Sequence, residues 1–456
     1  MDVEVTAFGA KGDGQTSDTA AIQRAIDSCA AAGGGRVRCP PGVYLTGSLE
    51  LLDNVELHLE GGATLLASEK PADYRKRLTG DHMVAGEMLN CDQHLLFADN
   101  RSNVALTGRG LIDGRCASFM ITHPTKPAKG LIANGWRPGQ LIHFNACSNV
   151  LIRDIRIRNS PSWTVWLLEC RRVRVDGASI HNIRDSANTD GVGICCCRDV
   201  SVSRCFIDAG DDCITLYGSN LIDPTRKSLC ENIVVSDCTL ASRTCGVRIG
   251  YASDSVIRNA VFSNLVMGDV AIGVDMIPNR FALWNGQALE HGPRIENIRF
   301  TNLVIDAARS AIHLWMHDKL LPPAGISNIA FSGVTARARA GCHICGTPAI
   351  PIRNISLSNL DLTLTGEADG RFAAGMPYPL GCWASGSPAP HGLFIRHARD
   401  IRLHDATIRW DQASGPWQSA VWAESVENLT LEGLRAEPPP GSPLPAVQIK
   451  GQAASA

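Results

Sequence analysis

Aromatic residues are scarce in this chain, at 5% of its 456 residues. It also lacks any long apolar run, so no segment offers the ~20 residues that a membrane-spanning helix needs. Charge is modest at 19%, with a formal net charge of −2 and both signs dispersed. No basic block points to nucleic acid, and no acidic tail points to a solvated arm. The start, Met1-Asp2-Val3-Glu4-Val5, lacks a basic region followed by an apolar core, so no signal peptide is legible. The expected location is cytoplasmic for a full-length chain, and secreted or periplasmic for a chain trimmed to a mature form. What is left is a neutral or mildly charged small-molecule or polymer substrate, without a nucleic-acid or membrane partner. The sequence carries no signal for an oligomeric state.

Cysteine is plentiful. There are 17, an odd number, and several crowd into strand-like segments such as Cys195-Cys196-Cys197. A secreted disulfide framework is usually even and sparser in a chain this long. Reduced, buried thiols serving as small apolar side chains are expected instead. Near the N-terminus, Ile22, Ala25, Ile26 and Cys29 fall at i, i+3, i+4 and i+7, a helical stripe. Thr16 or Ser17 can cap that helix, Asp18 suits its first turn, and Gly33-Gly34-Gly35 ends it.

Beyond the helix the chain repeats itself. A small polar residue followed by alternating apolar residues recurs at Asn54-Val55, Asn103-Val104, Asn149-Val150 and Asp199-Val200. Asn232-Ile233, Asn297-Ile298, Asn328-Ile329, Asn354-Ile355, Asp400-Ile401 and Asn428-Leu429 continue the series. Short period-2 strands at this interval predict a solenoid of β-coils, each burying its inner face only by stacking. The exposed first coil of such a solenoid needs a cap, which the helix supplies.

Within this frame, Asn188-Thr189-Asp190-Gly191 and Gly210-Asp211-Asp212-Cys213 stand about one coil apart. Stacked coils lie about 4.8 Å apart, so Asp190 is expected to approach Asp211 or Asp212 closely. Clustered carboxylates perturb one another, so one can hold a proton as a general acid while another orients water. That is the equipment of glycosidic bond hydrolysis.

These two motifs resemble those of glycoside hydrolase family 28, the polygalacturonase-like enzymes. Phe8-Gly9-Ala10-Lys11-Gly12-Asp13-Gly14 and Pro40-Pro41-Gly42-Val43-Tyr44 are similar to the opening of its bacterial members. Ile112-Asp113-Gly114, Arg137-Pro138 and Asn159-Ser160-Pro161-Ser162-Trp163 also match. The resemblance implies an all-β, single-domain right-handed parallel β-helix with an N-terminal capping helix. Residues 1–48 would form the cap and first strands, 49–437 the catalytic β-helix, and 438–456 a C-terminal tail. It implies an oligo- or polysaccharide substrate and inverting hydrolysis with no metal and no cofactor. Asp211 would be the general acid, and Asp190 and Asp212 would activate water across a carboxyl gap of about 6.5–9.5 Å. Asn188 would line the substrate site. Tyr217 stands where the family often has lysine or asparagine, as part of a sugar platform or as packing between coils.

Two departures matter. Where the family has a Gly-His-Gly segment, this chain has Cys245, and a thiol offers neither the charge nor the geometry of imidazole. Some rhamnogalacturonan-cleaving relatives also lack that histidine. Where an Arg-Ile-Lys motif binds a uronate carboxylate, the aligned residues are Gly273-Val274-Asp275. A carboxylate-bearing sugar would lose its bidentate partner and meet Asp275, whereas a neutral sugar would fit. Arg248 either restores the positive charge or is a solvated strand residue. His313, Trp315 and His317 alternate on one strand, as cleft residues with Trp315 as a stacking platform, or as a covered outer stripe. Trp136 and Arg137 frame the cleft or form a corner, and Trp163 and Trp166 pack in coils. Cys342-His343-Ile344-Cys345 has a metal-like spacing but no second pair nearby.

The expected activity is hydrolysis of pectin-related or other plant cell-wall glycans, with a rhamnogalacturonan-type or neutral sugar at the altered subsite. The alternatives are an ordinary polygalacturonase with a rebuilt cationic subsite, a non-catalytic carbohydrate-binding β-helix, or a β-helical lyase. The lyase lacks the expected cation and base.

Overall fold

The computed structural model describes residues 1–77, 92–125, 130–218, 229–253, 255–278, 293–316, 320, 322–366, 391–411 and 417–451. The chain falls into two compact units. Unit 1 comprises Met1–Thr215 and Asn220–Val234, and unit 2 comprises Leu216–Ser219 and Val235–Ala456. Both are built from parallel strands stacked coil upon coil, short in unit 1 and up to 22 residues long in unit 2, the solenoid that the repeats predicted and the right-handed parallel β-helix that the resemblance implied. No described helix is long and apolar enough to cross a membrane.

The repeat motif has a backbone explanation. All ten of its polar starts, from Asn54 to Asn428, have φ between 51° and 61°. Asparagine and aspartate tolerate this left-handed conformation better than other residues with a side chain. Nine of the ten starts turn the chain so that the next residue is buried, and Leu429 after Asn428 is half-buried. Val55, Val104, Ile298 and Ile401 are each fully buried. The turn asparagines also bond to one another between coils. In unit 1, Asn103 donates to Asn54 at 2.7 Å and Asn149 to Asn103 at 2.9 Å. In unit 2, Asn328 donates to Asn297 at 3.0 Å.

In unit 1 the core rows run in strict register, with Val150 beside Val173 and Val173 beside Val200. In unit 2, Phe262, Phe300 and Phe331 stack face to face with centroids 4.8 and 4.6 Å apart. Every described cysteine is buried, and none of them forms a disulfide. Burial pushes the Cys39 thiol up to about 12, which suits an inert apolar filler.

The capping helix spans Thr19–Ala31 and buries Ile22, Ala25, Ile26 and Cys29, the predicted stripe. Its start differs from expectation. Asp13–Ser17 is a strand, so neither Thr16 nor Ser17 caps the helix. Asp18 takes the N-cap position, but its carboxylate accepts the Lys11 and Gly12 N–H groups at 2.6 and 3.0 Å. The loop before the helix competes for that side chain and wins. At the other end Gly34, at φ 108°, passes so close to Asn54 that a Cβ would lie 2.5 Å from its carbonyl oxygen. The stretch after Glu437 is not all tail, because Val447–Lys450 pairs in register with Val421–Glu424.

Candidate active site

The acid cluster belongs to unit 1. Asp190 ends the turn before the strand Val192–Cys195, and Asp212 ends the turn before the strand that begins at Ile214. The two turns are stitched together by main chain. Gly191 N–H donates to the Asp212 carbonyl at 2.9 Å, and Val192 N–H to the Cys213 carbonyl at 2.9 Å. The coil spacing therefore does bring the two motifs side by side. One carboxylate oxygen from each of Asp190, Asp211 and Asp212 lies within 4.8 Å of those of the others. Asp190 and Asp212 are buried and Asp211 is half-buried.

The separation is tighter than the about 6.5–9.5 Å of the usual inverting pair. The reason is local: two of the carboxylates are neighbours in sequence, and the third sits directly across one coil step. Among the described residues this is the one group of acids spaced to share a cation. The same spacing suits a shared proton or a water held between carboxylates.

The turns are rigidly held. Thr189 Oγ1 donates to the Ser186 carbonyl at 3.0 Å and accepts the Gly210 N–H at 3.1 Å. Asn182 donates to the Thr189 carbonyl at 3.0 Å and to Thr164 Oγ1 at 2.7 Å. Asp211 is oriented through both oxygens, accepting N–H groups of Asn188 and Asp212, each at 3.1 Å. Asn188 has φ 58°, and its side-chain oxygen accepts from Arg137 at 3.0 Å. Arg137 also donates to the Pro161 and Ala187 carbonyls, at 2.8 and 3.2 Å. Asn188 thus connects the buried Arg137 to the Asp211 carboxylate. Thr189 and Asn182 escaped the sequence reading as site residues, although Thr189 lies inside the motif. Their work is done by small polar contacts that leave no pattern.

Alongside the cluster runs a row of residues in register, Phe97, His143, Trp166 and Gly193. Trp163 and Trp166 stack with centroids 4.3 Å apart, as the coil-packing expectation had it. Gly193 makes room for this, since a Cβ there would lie 2.2 Å from the Trp166 ring. Trp136 packs on Tyr74 and Phe119, with centroids at 5.2 and 5.7 Å. Burial, then the neighbouring His94 and Arg77, holds His143 well below the usual histidine range.

The remaining candidates gather in unit 2. Asp275 is 1% exposed and its carboxylate accepts Arg248 Nη1 at 2.8 Å and contacts His313 Nδ1 at 2.6 Å. Cys245 Sγ lies 3.7 Å from Asp275 and 3.1 Å from Arg248 Nη2. Strand register explains the grouping, because Arg248 pairs beside Asp275 and Asp275 beside His313. The Arg248 guanidinium lies 5.0 Å from the Tyr251 ring centre, and Tyr251 lies 6.4 Å from Tyr217. Arg248 is therefore not a solvated strand residue. It is buried, and its charge is matched by Asp275. Trp315 is also buried, packed with Cys245, Ile272, Ile277, Cys345 and Phe394, so its ring is not laid open as a platform. His317 lies outside the described residues. Cys342 and Cys345 are buried on one strand at i and i+3, which points them to opposite faces and not toward a shared ion.

Residues 62–225 match the family described as glycosyl hydrolases family 28, and that stretch holds all three acids. Over that stretch the chain is similar to this family. It is similar to an exo-poly-alpha-D-galacturonosidase of Dickeya chrysanthemi, 30% identical over 50% of this chain. That alignment covers 44% of the relative, so the chain spans under half of its length. A probable polygalacturonase of Vitis vinifera is 27% identical, over 73% of this chain and 74% of its own. The crystal structure of a hyperthermoactive exopolygalacturonase from Thermotoga maritima shares the fold. Its TM-score is 0.63 at 20% identity, covering 95% of this chain and 92% of that one. The matched stretch carries both acid motifs, whereas Cys245 and Gly273-Val274-Asp275, where departures were expected, lie beyond it.

Proposed function

We propose that this protein hydrolyses O-glycosidic bonds of pectin-related glycans, with the Asp190, Asp211 and Asp212 cluster as its catalytic centre. The observation that carries the reading is the convergence of three carboxylates from adjacent coils within 4.8 Å. A folded protein gains nothing structural from like charges held together, whereas hydrolysis needs an acid and a water-activating base side by side. Asp211, the most accessible of the three, protonates the leaving oxygen. Asp190 and Asp212 position the attacking water. Inversion of the anomeric centre without a metal is proposed from the family resemblance and not from the carboxylate spacing.

The finer proposal concerns the sugar. With Arg248 engaged by Asp275, that cluster offers a substrate carboxylate no unmatched cation among the described residues. A rhamnogalacturonan-type or other neutral unit suits that environment better than galacturonate. The names of the relatives favour a second reading, an exo-acting polygalacturonase whose uronate is bound elsewhere.

The test is hydrolysis of homogalacturonan, rhamnogalacturonan and aryl glycosides by wild type and Asp211→Asn, scored by new reducing ends. Release by wild type alone supports the proposal, and no release from any substrate overturns it. Robust cleavage of homogalacturonan overturns the neutral-subsite proposal and leaves the hydrolase standing. The first-formed anomer, followed by NMR, decides inversion, and full activity in EDTA is the expected result for metal independence. A product absorbing at 235 nm would indicate a lyase instead.

A further inference from the structure

We propose that an arginine-lined groove on unit 1, away from the acid cluster, binds the anionic chain of a uronate-containing polysaccharide. The choice of polymer rests on the pectin reading above. The groove has a volume of about 600 Å3. It lies on the strands Ser148–Arg153, Arg171–Asp176 and Arg198–Ser203 and reaches Asn232 and Val234. These strands follow the ones nearest the acids around tight left-handed turns at Ala146, Glu169 and Cys196. The groove therefore occupies the next sheet around the same coils. It crosses four coils, three steps of about 4.8 Å, or roughly 14 Å.

Its charge is unlike that of the whole chain. The four strands it crosses, the last being Cys230–Ser236, carry five arginines against two aspartates and one glutamate, in a chain whose net charge is −2. None of the acids is idle: Asp176 pairs with Arg204, Glu231 with Arg198, and Asp199 accepts from Asn232 at 2.9 Å. Arg172 and Arg174 line the groove and are exposed, and no carboxylate among the described residues pairs with either. Arg172 is held in place by its bond to Asn149 at 2.6 Å. On the neighbouring coils that flank the strand of Arg172 and Arg174 stand Asn149, Ser201 and Asn232, groups that bond sugar hydroxyls. No aromatic ring lines the groove, so the stacking that holds single-stranded nucleic acid is missing. Two cations on one strand, with an amide and a hydroxyl on the coils to either side, fit the carboxylates and hydroxyls of a polyuronate.

The test uses Arg172→Asn with Arg174→Thr. Asparagine suits the left-handed φ of 54° at position 172 and occupies the equivalent turn in neighbouring coils. Binding to polygalacturonate is measured in an Asp211→Asn background by affinity electrophoresis at low salt. The expected result is a loss of roughly three- to tenfold, two exposed charge contacts' worth, shrinking as salt is added. Hydrolysis of a trisaccharide by the arginine variant with Asp211 intact should be unchanged. Arg402→Gln, an exposed cation of unit 2, should leave binding unaltered. Unchanged affinity in the double variant overturns the proposal, as does an equal loss in Arg402→Gln. Single-stranded DNA or anionic vesicles bound as tightly as polygalacturonate overturn the polyuronate assignment. If wild type cleaves no glycan but the arginine variant still loses polygalacturonate binding, the groove stands and the hydrolase reading falls.

Discussion

Asp211 and Asp275 are both carboxylates beside other polar groups of a β-coil, yet their surroundings differ in kind. Asp211 is half-buried and has two more carboxylates within 4.8 Å. Asp275 is sealed, with Arg248 at 2.8 Å and His313 at 2.6 Å. The first arrangement opposes like charges and is costly to hold. The second matches a negative charge with a positive one, so its hydrogen-bonding needs are met internally. Like charges kept together argue for chemistry. Opposite charges buried together can be structural.

The sharpest way to break this contrast is to neutralise each acid in turn. Asp211→Asn should lower glycan hydrolysis by about 10²–10⁴-fold, the range for losing a general acid, while the melting temperature stays within a few degrees. Asp275→Ala should do the reverse. It strands a buried guanidinium and should cost about 3–5 kcal/mol in chemical denaturation. Arg248→Met combined with Asp275→Leu should recover most of that loss, because a buried ion pair replaced by apolar groups is often neutral. If Asp211→Asn proves as destabilising as Asp275→Ala, the division into a chemical and a structural cluster is wrong.

Acid sensitivity sharpens the comparison further. In unit 2, His391 stacks on Trp422 and bonds to Ser419, and burial holds it down to about 4 from an ordinary 6.5. Between those values the unfolded chain binds a proton that the folded chain does not. Stability should therefore be unaffected above pH 6.5, fall toward pH 4 at up to about 1.4 kcal/mol per unit, and level off below. Denaturation midpoints at pH 7 and pH 5 check this, and His391→Phe should flatten the difference. The smallest expected effect belongs to the turns. Asn297→Ala loses a left-handed asparagine and its bonds between coils, at a cost of about 1–2 kcal/mol, with activity retained.

Much of the fold was legible because the turn chemistry is local. A residue at φ near 55° must tolerate that conformation, and the alternation after it sets which side chains go inside. The proximity of Asp190 to Asp211 and Asp212 was legible for the same reason, since a short interval without insertions leaves one way to stack the two motifs. The helix start was misjudged because Asp13–Ser17 forms a strand and two backbone N–H groups of the loop just before it claimed the Asp18 side chain.

The sequence by itself thus determined the repeat, the coil class and the meeting of the acids. Only the tertiary structure decided what became of Arg248, Asp275 and Trp315. The physical reason is register. Cys245 pairs beside Ile272, 27 residues on, but Asp275 pairs beside His313, 38 residues on. Coils of unequal length absorb their extra residues in loops, so neighbours across coils cannot be counted along the chain. Whether a buried arginine finds a carboxylate depends on that lateral alignment, as does whether a tryptophan meets solvent or five apolar neighbours.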